Sequence, residues 1–211
     1  MIVQISSDSF APGGVIPATF AFAQADPETH ARLAGNRSPQ LSWSELPPGT
    51  RSLALICVDP DAPTVGDDVN KEGRTVSADL TRGDFHHWVM VDIPASCTSL
   101  AAGCCADGVT PGGKDQPPGP DGARQGQNDY TSWFAGDEDM GGTYLGYDGP
   151  APPWNDERVH HYHFQLFALD IERLDLGQTF TVPDARRAME GHVLQSAELV
   201  GTYTQNPALM G

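Results

Sequence analysis

The fold of this 211-residue chain is decided by the stretch Leu53-Ala54-Leu55-Ile56-Cys57-Val58-Asp59-Pro60-Asp61-Ala62-Pro63. Its first six residues form a continuous apolar run, which is typical of a strand buried on both faces. The proline rings after the run fix the backbone angle around two carboxylates, so the strand leads into a stiff acidic loop. The stretch therefore predicts a central strand that holds Asp59 and Asp61 at one end.

Two further segments carry a strong strand signal. Residues 87–93 are largely apolar and stop at Pro94, and residues 161–169 mix aromatic and polar side chains at period two. Many short strands separated by turns favour an antiparallel β-sandwich or barrel. Weaker strand candidates are residues 2–5, 15–22, 40–43 and 178–182.

Helical periodicity is confined mainly to the C-terminal region. Asp184 can cap a short helix that follows it, and a second helix is predicted over residues 193–199, after Gly191. A third is predicted after Asp26-Pro27, because aspartate before proline fits a helix N-cap and first position. Residues 103–149 are rich in glycine, proline and aspartate without a sustained period, which predicts a long functional or mobile surface loop.

The composition restricts the partners of the chain. Its 28 acidic and 12 basic residues give a formal net charge of −16, which repels nucleic-acid phosphates and anionic membrane surfaces. No stretch approaches the roughly 18 consecutive apolar residues of a membrane-spanning helix, and the N-terminus lacks the features of a secretory signal. The sequence therefore predicts one cytoplasmic domain over residues 1–211, with free cysteines, no nucleic-acid partner and no integral membrane segment.

Polar residues lie at the ends of the predicted strands, and the alternation of side chains along each strand indicates which face they occupy. Asp59, His87, His160 and Tyr162 each share parity with apolar residues of their own segment. If consecutive strands pair antiparallel, Asp59 lies beside His87, and a third strand parallel to the second brings its own polar residues to the same edge. The alternation thus predicts a polar cluster at one end of an apolar core.

Such a cluster has the chemistry of a small-anion site. Protonated imidazoles and the hydroxyl of Tyr162 donate to phosphate or carboxylate oxygens, while Asp59 orients one imidazole. One alternative is that these groups only satisfy one another at the edge of the core. Another is that His161 and His163, which share a face, bind a metal. A third metal ligand is not evident nearby, so neither a metal nor a cofactor is predicted.

Two signature regions resemble those of the phosphatidylethanolamine-binding proteins, and the bacterial and archaeal branch of that family matches best. The resemblance runs from about residue 3 to residue 204, nearly the whole chain. The matching segments are, in order, Asp59-Pro60-Asp61-Ala62-Pro63, Phe85-His86-His87-Trp88, Gly149-Pro150-Ala151-Pro152-Pro153 and His160-His161-Tyr162-His163-Phe164.

The resemblance implies a single, mainly β domain: an antiparallel β-sandwich with a central sheet, a smaller second sheet, and short peripheral and C-terminal helices. It also implies a pocket for small anions such as phosphate or a phospholipid head group. Ala151 stands where the family has a second glycine, which narrows the pocket mouth, and His161 stands where many relatives have arginine, which removes a fixed positive charge. By position, the pocket residues are Asp59, Asp61, His87, His160, Tyr162 and, at the mouth, the proline pair Pro152 and Pro153.

The predicted function is non-enzymatic binding of a small anionic ligand, such as phosphate, acetate or a phosphorylated head group, with a regulatory role open. One alternative is a protein-interaction module that inhibits a protease or kinase through the long loop. Another is a hydrolase in which His87 or His160 acts as general base with Asp59 as its partner, although no nucleophile is evident. The resemblance and the apolar C-terminal segment also leave a homodimer open.

Overall fold

Antiparallel sheets dominate the computed structural model, which describes residues 2–210. Met1 and Gly211, the ends of the predicted domain, lie outside the described residues. The predicted mainly β architecture with few helices is confirmed. The strands are β1 (Gln4–Ser6), β2 (Ala23–Asp26), β3 (His30–Leu33), β4 (Leu41–Ser44), β5 (Ser52–Pro63), β6 (Arg82–Pro94), β7 (Ser99–Leu100), β8 (Arg124–Gln125), β9 (His160–Leu169) and β10 (Val193–Tyr203). The helices are α1 (Tyr130–Trp133) and α2 (Val182–Met189), with 3-10 turns at Ala18–Phe20 and Pro207–Leu209.

The central sheet has five strands in the order β10-β9-β5-β6-β8. Strand β5 pairs antiparallel with both β6 and β9, so these two neighbours run in the same direction, which is the arrangement required for a polar cluster at one end of the sheet. The apolar run of β5 is buried on both faces: Leu55 packs in the main core, and Ile56 packs in a second cluster beneath α2. This double burial explains why the run shows no polar alternation.

A second sheet, in the order β1-β4-β7, packs on one face of the central sheet. Leu41 and Trp43 of β4 join Leu55 and Trp88 of the central sheet in the main core, where each is at most 5% exposed. Strands β2 and β3 form a separate hairpin. Within residues 2–210, no helix combines the length and the apolar character needed to cross a bilayer.

The helix predicted over residues 193–199 is wrong. These residues belong to β10, which pairs with β9 along its length from Val193 to Tyr203. Its inward residues recur at period two, since Leu199, Gly201 and Tyr203 are buried and the residues between them are not. The apolar spacing is also compatible with a helix, and pairing with β9 decides between the two structures.

Two predictions around α2 are also corrected. Residues 178–182 do not form a strand, because Val182 is the first residue of α2. The N-cap of that helix is Thr181 rather than Asp184. Asp184 lies three positions later and accepts hydrogen bonds from the backbone N–H and hydroxyl of Thr181, at 3.0 and 2.7 Å. The pair forms a capping box, which satisfies backbone groups at the start of the helix.

The predicted helix after Asp26-Pro27 is a turn instead. The carboxylate of Asp26 accepts the backbone N–H groups of Glu28 and Thr29, at 3.0 and 2.9 Å, and so closes the β2–β3 hairpin. Residues 15–22 form no regular strand: Val15 makes one isolated bridge with Thr202, and a 3-10 turn follows. The 103–149 segment is mainly loop, as predicted, interrupted by β8 and α1, but it is not confined to the surface, since Tyr144, Tyr147 and Asp148 are fully buried.

Candidate ligand-binding site

A cavity of about 250 Å³ opens at the edge of the central sheet where β5 ends and β9 begins. The structure brings together at this cavity most of the residues that the sequence singles out. Its lining includes Asp59, His87, His160, Tyr162, Pro152 and Pro153.

His87 reaches the cavity because of an irregularity in β6. Simple alternation would place His87 on the same face as Val89, which packs beneath α2. The register shifts by one residue at this point: Cys57 lies opposite Trp88, and Val58 lies opposite His86. His87 is thus the extra residue of a β-bulge, and the bulge turns its ring toward the cavity.

His160 is held between two carboxylates. Its Nδ1 lies 2.6 Å from Asp59 Oδ2, and its Nε2 lies 3.1 Å from Asp156 Oδ2. Burial alone lowers the pKa of His160, yet the hydrogen bonds with Asp156 and Asp59 raise it to about 9. Both ring nitrogens therefore carry protons that are already donated to carboxylates at neutral pH. His160 lines the cavity as a buried cation, and neither nitrogen is free to act as a general base or to donate to a ligand.

Asp156 and Arg82 complete this charge network, and sequence reasoning missed both. The Nη2 of Arg82 donates to Asp156 Oδ1 at 2.9 Å, and both side chains are almost fully buried. Burial raises the pKa of Asp156, but the hydrogen bonds with His160 and Arg82 outweigh it and hold that pKa below the usual value. Asp59, His160, Asp156 and Arg82 form a chain of alternating charge. These four side chains together have no net charge, although they include two carboxylates, of which Asp59 lines the cavity.

The tautomer of His87 is set by a backbone carbonyl. Its Nδ1 lies 2.8 Å from the carbonyl oxygen of Asp148, and a carbonyl can only accept, so Nδ1 carries a proton. Burial lowers the pKa of His87, although the charge of Asp59 opposes this effect. The ring is consequently neutral at pH 7, and its Nε2 is a hydrogen-bond acceptor.

The side chain of Asp148 anchors this arrangement at the rear of the site. It is fully buried and accepts hydrogen bonds from Asn36 Nδ2 at 2.7 Å, Asn128 Nδ2 at 2.8 Å and Lys114 Nζ at 2.9 Å. Lys114, Asn128 and Asp148 all belong to the long 103–149 segment. That segment therefore fixes the carbonyl that selects the tautomer of His87, a role that no local sequence pattern indicates.

Two polar atoms at the cavity have no hydrogen-bond partner within residues 2–210: the hydroxyl of Tyr162 and Oε1 of Gln205. The Tyr162 ring is fully buried and meets the ring of His87 edge-on, with centroids 5.1 Å apart. Burial, and then the nearby charge of Asp59, raise the pKa of Tyr162 well above its usual value, so the hydroxyl keeps its proton. The amide nitrogen of Gln205 donates to the Pro152 carbonyl at 2.6 Å, which leaves Oε1 as a free acceptor.

Aromatic rings line the cavity beside these polar groups. Phe22 stacks on Tyr130 with centroids 4.5 Å apart, and Tyr130 stacks on Phe134 at 5.6 Å. Trp133 borders the opening and is 51% exposed. A ligand would thus meet both polar groups and apolar aromatic surface in the cavity.

A family model described as phosphatidylethanolamine-binding protein matches residues 6–204, a range that includes the cavity residues named above except Gln205. The chain belongs to the phosphatidylethanolamine-binding protein family. Its similarity to members from bacteria and archaea extends over most of its length. It is 39% identical to a UPF0098 protein of Methanothermobacter thermautotrophicus over 80% of this chain and 83% of that protein. It is 33% identical to YbhB of Escherichia coli over 80% of this chain and 82% of YbhB.

Solved structures of the phosphatidylethanolamine-binding protein family agree with this fold. The crystal structure of E. coli YbcL, a member of the family, superposes with a TM-score of 0.70 at 26% identity and covers 97% of this chain and 99% of that one. A homologue from Chlamydia trachomatis gives a TM-score of 0.63 at 26% identity, covering 96% of this chain and 97% of that one. The similarity places this chain with the YbhB and YbcL branch of the family.

Asp61, the second acidic residue of the family signature, does not line the cavity. Its carboxylate accepts the backbone N–H of His161 at 3.0 Å and is held by the His161 ring and by Arg158, at 2.8 and 3.2 Å. Arg158, three residues before His161, supplies the guanidinium of this group. Asp61 therefore ties the start of β9 to the end of β5, so it supports the cavity from outside.

Proposed function

We propose that this family member is a non-enzymatic binding protein whose cavity holds a small oxyanion of the phosphate or phospholipid-head-group type. The observation that carries the proposal is the hydroxyl of Tyr162, which is buried at the cavity and makes no hydrogen bond within the described chain. A buried donor without a partner costs about 1–3 kcal/mol. A ligand oxygen that accepts from Tyr162 recovers that energy.

The neighbouring His87 determines the protonation of the ligand. Its Nε2 accepts when the ring is neutral and donates when the ring is protonated. Phosphate as the hydrogen or dihydrogen ion brings its own proton and can donate to Nε2. Acetate has no such proton, so it requires that His87 become protonated. In either complex one proton lies between the anion and Nε2. Phosphate carries that proton into the cavity, whereas His87 takes it up from solvent when acetate binds.

The charge balance around the cavity supports a small anion over an extended one. The imidazolium of His160 and the guanidinium of Arg82 offset the carboxylates of Asp59 and Asp156. An anion at the cavity therefore meets a neutral local network, although the chain as a whole carries a formal charge of −16. The aromatic rings of the cavity leave room for an apolar group attached to the oxyanion. Inhibition of a protein partner and dimer formation stay predictions.

We expect Tyr162→Phe to weaken phosphate binding about tenfold or more, because it removes a hydrogen bond to a charged oxygen, worth about 1.5–3 kcal/mol. Calorimetric titration with phosphate, phosphoethanolamine and acetate measures the change. The matched control is Tyr144→Phe, since that hydroxyl bonds the Met140 carbonyl and does not line the cavity. Without ligand, Tyr162→Phe should be at least as stable as the parent, because it deletes an unpaired donor. Equal affinities of the two variants would refute the proposed site.

Binding of acetate is expected to weaken as pH rises, by about tenfold per pH unit once pH exceeds the pKa of His87. The direction follows from burial, which lowers that pKa below 6.5, so a neutral ring must gain a proton when the anion enters. Calorimetry at pH 7 in buffers of different ionisation enthalpy should report uptake of about one proton per acetate. Binding without proton uptake would show that His87 does not face the ligand.

A further inference from the structure

Two adjacent thiols lie outside the candidate site. The sulfur atoms of Cys104 and Cys105 are 3.4 Å apart, close enough for an S–H···S hydrogen bond. Cys105 is fully buried, whereas Cys104 is only partly buried and can be reached from solvent. The pair therefore joins a reachable sulfur to a protected one.

The backbone around these thiols is fixed by Ser38, which is itself fully buried. The N–H of Gly103 donates to the Ser38 carbonyl at 2.8 Å, and the N–H groups of Cys105 and Ala106 donate to the Ser38 hydroxyl at 3.1 and 3.3 Å. Gly103 has a φ of +81°, the left-handed conformation that favours glycine. These hydrogen bonds thus hold the backbone from which both thiol side chains project.

The two thiols differ in protonation. The hydrogen bond from Cys105 lowers the pKa of Cys104 to about 7, against the opposing effect of burial. The same hydrogen bond, and then burial, raise the pKa of Cys105. At neutral pH a substantial share of Cys104 is therefore thiolate, the nucleophilic form, while Cys105 stays a thiol.

We propose that Cys104 is a hydroperoxide-reactive modification site and that Cys105 converts its oxidised form into a vicinal disulfide. In the first step the Cys104 thiolate attacks a peroxide oxygen; an S–O bond forms, the O–O bond breaks, and hydroxide or alkoxide leaves. In the second step the Cys105 sulfur attacks the sulfenic acid; an S–S bond forms, the S–O bond breaks, and the departing oxygen leaves as water with the Cys105 proton. Sulfur loses two electrons in total, and the hydroperoxide gains them.

The vicinal disulfide should be easy to reduce. Consecutive α-carbons of a trans peptide are about 3.8 Å apart, below the roughly 4.4–6.8 Å that disulfides usually span. The ring is therefore strained, and strained disulfides have more oxidising potentials. A dithiol reductant that gives two electrons and two protons to the disulfide, and is itself oxidised to a disulfide, restores both thiols, so the modification is reversible.

The test uses the reduced full-length chain treated with stoichiometric hydrogen peroxide and analysed by peptide mass spectrometry. In the parent, the peptide that contains Cys104 and Cys105 should lose two hydrogen atoms and regain them with dithiothreitol. In Cys105→Ala, Cys104 should instead gain one oxygen, and dimedone should trap the resulting sulfenic acid. Cys105→Ser is a second variant at this buried position and should behave in the same way. Cys104→Ser should react at least about tenfold more slowly, because the thiolate is gone.

The matched control is Cys97→Ser, since Cys97 is the other partly buried thiol, and its sulfur lies 3.3 Å from the Ser99 carbonyl oxygen. This variant should react like the parent. Oxidation of Cys104→Ser at the parental rate, or first oxidation at Cys97, would overturn Cys104 as the reactive site. Loss of the disulfide in Cys97→Ser but not in Cys105→Ala would overturn the role of Cys105.

Discussion

Asp156→Ala is expected to lower the free energy of unfolding by about 3–5 kcal/mol, the usual cost of removing one partner from a buried ion pair. The substitution leaves the His160 imidazolium and the Arg82 guanidinium with one carboxylate fewer in a site where all three side chains are at most 5% exposed. Urea denaturation at pH 7 measures the loss. Asp156→Asn keeps the shape and one acceptor and should be intermediate.

The matched control for this prediction is Asp170→Ala. Asp170 also pairs with a histidine, His192, at 2.8 Å, but both side chains are at least 40% exposed. Exposed pairs contribute about 0–1 kcal/mol, so this variant should be nearly as stable as the parent. A loss for Asp156→Ala no larger than that for Asp170→Ala would show that the network around His160 does not hold the sheet edge together.

The central sheet could be predicted from the sequence because its signal is local. The double burial of β5 and the alternation in β9 depend only on neighbouring residues, and strand pairing then places Asp59, His160 and Tyr162 at one edge. β10 was mispredicted because its apolar spacing suits both a helix and a strand, and only its pairing with β9 settles the choice.

Side-chain alternation alone would place His87 on the face of β6 that packs beneath α2, away from the cavity. Its convergence with Asp59 and Tyr162 depends on a one-residue bulge between β5 and β6, which no period in the sequence reports. In the bulged conformation, the Nδ1–H group of the His87 ring donates a hydrogen bond to the Asp148 carbonyl. Agreement between prediction and structure at this residue therefore rests on a tertiary feature.

The remaining site residues could not be predicted for a related reason. Asp156, Asp148 and Lys114 lie in loops, where the direction of a side chain is set by long-range contacts instead of strand geometry. Buried polar groups need hydrogen-bond partners, and here loop residues supply them. Only the fold shows which loop residues these are.

Folding stability is expected to fall by about 3 kcal/mol as pH rises from 6.5 to beyond 9, because of His160 alone. Its folded pKa of about 9 lies above the unfolded value near 6.5, since the hydrogen bonds with Asp156 and Asp59 outweigh the effect of burial. A raised histidine pKa contributes stability that is complete below the unfolded pKa and is lost as pH rises through the folded pKa. The loss should therefore centre on the alkaline side of neutrality.

Urea denaturation of the parent and of His160→Gln at several pH values between 6 and 10 separates this contribution from that of other alkaline groups. The variant should be less stable at pH 6.5, and the difference between the two proteins should shrink as pH approaches 10, because the parent loses the charged imidazole there. His192→Gln is the matched control at an exposed histidine–aspartate pair and should follow the parent throughout. Parallel curves for the parent and His160→Gln would mean that His160 is neutral in the folded protein. In that case neither of its carboxylate partners holds the missing proton, and the side chains of Asp59, His160, Asp156 and Arg82 would together carry one negative charge instead of none.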